Sequence, residues 1–121
     1  MGDLSSNFSR REFSCKCGCG MDTVDAELIM VLENLRWGQG VGGKSRAITV
    51  SSGCRCEEHN RNEGGGDNSQ HLIGKAADIA VYGVTPKDVA EYLDKWHPDQ
   101  YGIGRYETFT HIDVRSKMAR W

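Results

Sequence analysis

The sequence predicts an α+β fold, and three observations carry that reading. An apolar stripe at helical spacing runs from Ala26 to Trp37. Short runs rich in β-branched and aromatic residues recur further along. Glycine is abundant, 15 of 121 residues against two prolines, which implies tight turns between short elements.

The elements follow in order. Residues 1–22 read as an irregular, cysteine-containing N-terminal arm. Asp25 caps a helix over 26–37, where Leu28, Ile29, Val31, Leu32 and Leu35 form the buried stripe and Gly38, Gly40, Gly42 and Gly43 end it. Residues 47–51 read as a strand. Residues 55–70 are polar and read as a loop ending in a Gly64-Gly65-Gly66-Asp67-Asn68 run. A second strand covers 75–82. Thr85-Pro86 starts a helix running to Trp96, with proline in the first turn. Two final strands, 101–106 and 109–114, are tightly joined. The length is that of one domain over 1–121 with one modest core.

Composition excludes several function classes. Fifteen basic residues against 17 acidic give a formal net charge of −2, so a strongly basic nucleic-acid surface is not expected. No apolar run approaches the roughly 20 residues that span a bilayer. The polar start shows no secretory leader. No long apolar stripe is left over for a partner copy, so a monomer is expected. Three pattern matches fail on context. Gly38 to Ser45 fits a P-loop, but a helix precedes it and a strand follows, the reverse of what phosphate binding needs. Met1-Gly2 fits a myristoylation pattern without other membrane signals. Asn7-Phe8-Ser9 fits a glycosylation acceptor in a chain without a visible leader.

Five cysteines fall in two clusters, Cys15, Cys17 and Cys19, then Cys54 and Cys56, and an odd number cannot all pair within one chain. On a strand, alternate residues share a face, so the first three sulfurs could converge on a structural zinc with Cys54 or Cys56 as the fourth donor. C-x-C is not the usual finger spacing, and reduced thiols or disulfides tying the arm to the core are the other readings.

The residues that carry chemistry lie in Ser69-Gln70-His71-Leu72-Ile73-Gly74-Lys75-Ala76-Ala77-Asp78 and in His111-Ile112-Asp113. Strand alternation puts Asp78 and His111 on one face if the apolar sets face the core, and His71 can fold over Asp78 across the Gly74 turn. Two imidazoles and a carboxylate make a zinc site with an open fourth position, the pattern of catalytic rather than structural zinc.

The pattern S-x-H-x-x-G-x-A-x-D followed by H-x-D resembles the zinc D-Ala-D-Ala carboxypeptidase family, in particular its small phage-type members that cut peptidoglycan. Ser52-Gly53-Cys54-Arg55-Cys56, Gly102-Ile103-Gly104-Arg105-Tyr106 and the cysteine-rich Phe13 to Gly20 extend the resemblance over nearly the whole chain. It implies a small antiparallel sheet with helices packed on it, shared with the hedgehog signalling domain. It further implies one catalytic zinc on His71, Asp78 and His111, and hydrolysis of an amide in a peptidoglycan peptide, by a carboxypeptidase or a wall endopeptidase. Many relatives carry an acid three residues before the last ligand, to move the water's proton; here that position is Thr108. Glu107 is the nearest acid, and even spacing on an extended strand would put it on the His111 face. Asp113, two residues past His111 on the same face, competes, or supports the ligands from outside or positions the substrate. The resemblance places Arg55 near the metal, suited to gripping a substrate carboxylate, with an ion pair to Glu57, Glu58 or Asp67 as the alternative. Ser69 and Gln70 bind substrate backbone or stabilise their loop, and Asn60 bonds the loop backbone. Without the Thr108 acid, a non-catalytic zinc module that binds a peptide or protein partner is the alternative function. A wall substrate with no visible leader fits a phage endolysin, made in the cytoplasm and released to act on the cell wall.

Overall fold

Five short strands form one sheet in the order β1–β2–β4–β3–β5, in a computed structural model that describes residues 3–37, 46–66 and 69–121. The strands are β1 (Ile48–Ser52), β2 (Ala76–Val81), β3 (Gly102–Arg105), β4 (Thr110–Asp113) and β5 (Ala119–Arg120). β1, β2, β4 and β3 pair antiparallel, whereas β5 joins β3 in parallel. The fold is therefore α+β, with a mixed sheet where an antiparallel one was expected. β5 escapes a sequence reading because two residues carry no periodicity; Arg105 N–H bonds the Trp121 carbonyl at 2.9 Å and helps seat it.

The helices are α1 (Arg10–Phe13), α2 (Ala26–Trp37), α3 (Glu57–Asn62) and α4 (Pro86–Trp96), with a 3-10 helix at Gln70–Ile73. Helix α2 begins where expected, with Glu27 N–H bonded to the Asp25 carboxylate at 2.8 Å. Its Leu28, Ile29, Val31, Leu32 and Leu35 are all buried. Thr85 caps α4 by accepting from Asp88 N–H at 3.2 Å. Val89 and Leu93 of α4 share one core with α2, Ile48, Val50, Ala77, Ile79, Val81 and Ile112. That core takes one face of the sheet and leaves Asp78 and His111 on the other.

Two expectations are corrected. The arm is not irregular throughout: α1 forms one helical turn, and Phe8 and Phe13 bury their rings in the core. Segment 55–70 is not all loop, since it holds α3 and the start of the 3-10 helix. Helix α3 has no apolar stripe; it is set by its Cys56 cap, acids in its first turn and His59 and Arg61 in its last. The glycines expected to end α2, the P-loop-like stretch and Met1-Gly2 lie outside the described residues, as do Asp67 and Asn68. Among the described residues, no helix is long and apolar enough to cross a membrane.

Candidate metal centre

Each residue of the Ser69–Asp78 motif has a physical reason. Ser69 Oγ accepts from His71 N–H at 3.2 Å and caps the 3-10 helix. Gly74 ends that helix in the left-handed region at φ 72°, and a Cβ there would strike the Thr23 carbonyl. The chain then enters β2, where Asp78 pairs with His111 across the sheet. The register of β1 shifts between Val50 and Ser52, which sets Ser52 beside Asp78 and carries the chain on to Gly53.

Hydrogen bonds behind the imidazoles fix which nitrogens face the centre. His71 Nδ1 lies 2.6 Å from the Gly53 carbonyl, an acceptor only, so Nδ1 carries the proton and Nε2 is a bare lone pair. His111 Nε2 lies 2.7 Å from Asp113 Oδ2. Burial works against ionisation of Asp113, but hydrogen bonds from Arg115 and His111 outweigh it and hold the carboxyl well below the usual range. Asp113 thus accepts, and the lone pair of His111 Nδ1 is turned toward Asp78 Oδ1, 3.0 Å away. His71 Nε2 is 3.3 Å from the same oxygen. Asp78 is ionised too: burial would raise its pKa, but a proton taken up on the facing His111 and His71 nitrogens, where no cation holds them, brings it to about 2.

Three acceptors therefore converge with no donor of their own, an arrangement that a cation or a proton must satisfy. Zinc bonds of about 2.0–2.2 Å to nitrogen and oxygen put tetrahedral donors about 3.3 Å apart, close to the separations seen. His71, Asp78 and His111 are all buried, and their donor atoms lie within 4.8 Å of one another. His111 itself is raised: burial lowers its pKa, but Asp113 and Asp78 more than offset that.

The centre sits in an open cleft of about 380 Å³. One wall is aromatic. The Tyr106 and Phe109 rings stack 4.5 Å apart, and Trp121 lies 5.1 Å from the His111 ring and donates to the Tyr106 hydroxyl at 2.7 Å. Gly102 and Gly104 make this wall possible. A Cβ on Gly104 would come within 2.5 Å of the Trp121 ring, and one on Gly102 within 2.5 Å of Asp113 Oδ2.

The remaining candidates are distributed as follows. Asp113 is fully buried behind His111, with Arg115 bound to both its oxygens at 2.8 and 2.7 Å. Arg55 lines the cleft, and its guanidinium holds Asp78 Oδ2 at 3.1 Å, a partner not among those weighed from the sequence. Its other bonds go to Ser52 Oγ at 3.0 Å and Asn60 Oδ1 at 3.3 Å. Ser69 and Gln70 line the cleft. Asn60 is buried and donates to the Gly66 carbonyl at 2.9 Å, as its loop role requires.

Glu107 is exposed in the bend between β3 and β4, outside the cleft lining, and β4 starts only at Thr110. The extended geometry assumed for residues 107–111 is thus interrupted. Besides Asp78, the acid that lines the cleft among the described residues is Glu63, at the C-terminal end of α3. No sequence pattern marked it, because it enters through a helix that has no apolar period. Of the two candidate fourth thiols, Cys56 joins Cys15, Cys17 and Cys19, whereas Cys54 is buried apart from them. The three arm cysteines converge through a turn, not through a strand.

A family model described as Peptidase M15 matches residues 6–113, which include every donor of the centre. No curated protein matches the chain.

Proposed function

Because the chain belongs to the Peptidase M15 family, a family of zinc peptidases, we propose that the cleft hydrolyses an amide bond in a peptidoglycan peptide that contains D-amino acids. The observation that carries this is the open three-donor centre, whose lone pairs are aimed by partners outside it, at the floor of an aromatic-walled cleft. His71, Asp78 and His111 would hold the ion, with His71 Nε2, Asp78 Oδ1 and His111 Nδ1 facing one another. Zinc, when bound, supplies a Lewis acid and lowers the pKa of a water from about 15.7 toward 7.

The chain's own residues do the rest. The Gly53 carbonyl and Asp113 lock the two imidazole tautomers. Arg55 holds Asp78 Oδ2, so that Oδ1 is the oxygen facing the imidazoles, and has two N–H donors left of its five for a substrate carboxylate. Tyr106, Phe109 and Trp121 give the peptide an apolar wall. We assign the proton acceptor to Glu63 ahead of Glu107, since Glu63 borders the cleft and, among the described residues, pairs with His59 at 3.6 Å.

The test is digestion of purified peptidoglycan and of stem peptides ending in D-Ala-D-Ala, with products mapped by mass spectrometry. The zinc-loaded chain releases a new amino terminus or free D-Ala. Glu63→Gln keeps the metal and loses about 10²–10⁴-fold in rate. Glu107→Gln stays near wild type. The reverse ranking moves the proton to Glu107. A zinc-loaded chain that cuts nothing leaves the peptide-binding module as the function.

A further inference from the structure

Four of the five cysteines meet outside the cleft. Cys15, Cys17 and Cys19 come from the turn after α1, and Cys56 is the N-cap of α3. Left-handed Gly18 and Gly20, at φ 84° and 89°, bend that turn so that a C-x-C-x-C run can point inward. The sulfurs are 3.4 Å apart for Cys15 and Cys17, 3.6 Å for Cys17 and Cys56, and 3.8 Å for Cys15 and Cys56. Cys19 lies within 4.8 Å of the others. Zinc–sulfur bonds of about 2.3 Å make a tetrahedron with edges of about 3.8 Å, whereas a disulfide needs about 2.0 Å. Backbone N–H groups already point at two of the sulfurs: Cys56 N–H at Cys15 Sγ and His59 N–H at Cys56 Sγ, both 3.4 Å.

We propose that Cys15, Cys17, Cys19 and Cys56 bind a structural zinc ion that clamps the N-terminal arm onto segment 53–56 and so holds the cleft's supporting groups in place. Four thiolates close the tetrahedron and leave no open position for a substrate. Each thiol releases its proton to solvent as the ion binds. The clamped segment matters because it carries the partners of two cleft donors. Gly53 fixes the His71 tautomer, Arg55 N–H bonds the His71 carbonyl at 3.0 Å, and the Arg55 side chain holds Asp78. The arm lies directly on it: Cys54 N–H bonds the Phe13 carbonyl at 2.8 Å, and a Cβ on Gly53 would come within 2.7 Å of Phe13 Cα. The thiolate site stands whether or not the cleft is a peptidase.

The test is metal content and cobalt substitution of the full chain purified under reducing conditions. Wild type holds two zinc ions per chain, and its cobalt form shows thiolate-to-metal charge transfer. His71→Ala keeps that band, and so does Cys54→Ala. Cys17→Ser with Cys19→Ser loses the band and one zinc, exposes the arm to protease, and weakens zinc binding in the cleft about 10-fold. One zinc without a thiolate band in wild type, iron in place of zinc, or a disulfide among these four cysteines overturns the site. A lost band with unchanged cleft affinity overturns the clamp.

Discussion

The His71–Asp78–His111 centre and the Cys15–Cys17–Cys19–Cys56 cluster draw on the same chain in different ways. The first takes two of its donors from neighbouring strands and the third from a capped 3-10 helix, and all three are buried. Every donor there has a partner behind it: Gly53 for His71, Asp113 for His111, Arg55 for Asp78. The second cluster hangs three donors on one glycine-bent turn and one on a helix cap, with Cys17 and Cys19 exposed. Three donors with a rigid outer ring leave a position open, which hydrolysis needs. Four donors leave none, which suits a clamp. Burial differs accordingly: His71, Asp78 and His111 are buried at the floor of the open cleft, whereas two of the four cysteines are exposed.

Breaking the first centre has the largest expected effect. His71→Ala removes a donor and brings hydrolysis to background, with loss of one zinc by metal analysis and an unchanged far-ultraviolet spectrum. Asp113→Asn comes next. The His111 tautomer is no longer fixed by an ionised partner, and zinc affinity in the cleft falls about 10–100-fold, read by competition with a chelating dye. Gly104→Ala forces the Trp121 ring away from β3, a misfit of about 1–3 kcal/mol, seen as lower stability in urea and a shifted indole emission.

The smallest effect sharpens the comparison at the arm. Glu33 of α2 accepts from Ser5 Oγ, Asn7 N–H and Asn7 Nδ2 at 2.5, 2.9 and 2.8 Å. Partial burial works against its ionisation, but these bonds from Ser5 and Asn7 prevail and its pKa is lowered. A depressed carboxyl stabilises the fold above its unfolded value and loses that contribution as pH falls through the folded one. Glu33→Gln therefore speeds amide exchange in residues 4–9 at about pH 6, and the difference from wild type shrinks as pH falls below the usual carboxylate value of about 4.3.

What the sequence made legible follows period and spacing. The α2 stripe was visible because its burial repeats along the chain, and β2 and β4 because side-chain type alternates along them although both faces are buried. The donors His71 and Asp78 were visible because a ten-residue pattern constrains cap, turn and strand together, and His111 because an H-x-D follows it. Asp113 as the partner of His111 was readable from the i, i+2 spacing. Helix α3 was not, since its stability comes from caps and charge. Neither was the Arg55–Asp78 pair, which joins residues 23 apart across a strand bulge. Nor was the choice of Cys56 over Cys54, which depends on the arm packing against Gly53. Glu107 shows the limit of strand arithmetic: a two-residue bend cancels an even spacing.

The proposed peptidase activity depends on metal held in the cleft. Its most direct test is the release of amino groups from purified peptidoglycan, followed before chelation, after it, and after zinc is returned. The account predicts release that stops on chelation and resumes with zinc in wild type, while His111→Ala stays silent throughout. Release that continues after the cleft zinc has been stripped, or release by His111→Ala equal to wild type, contradicts it.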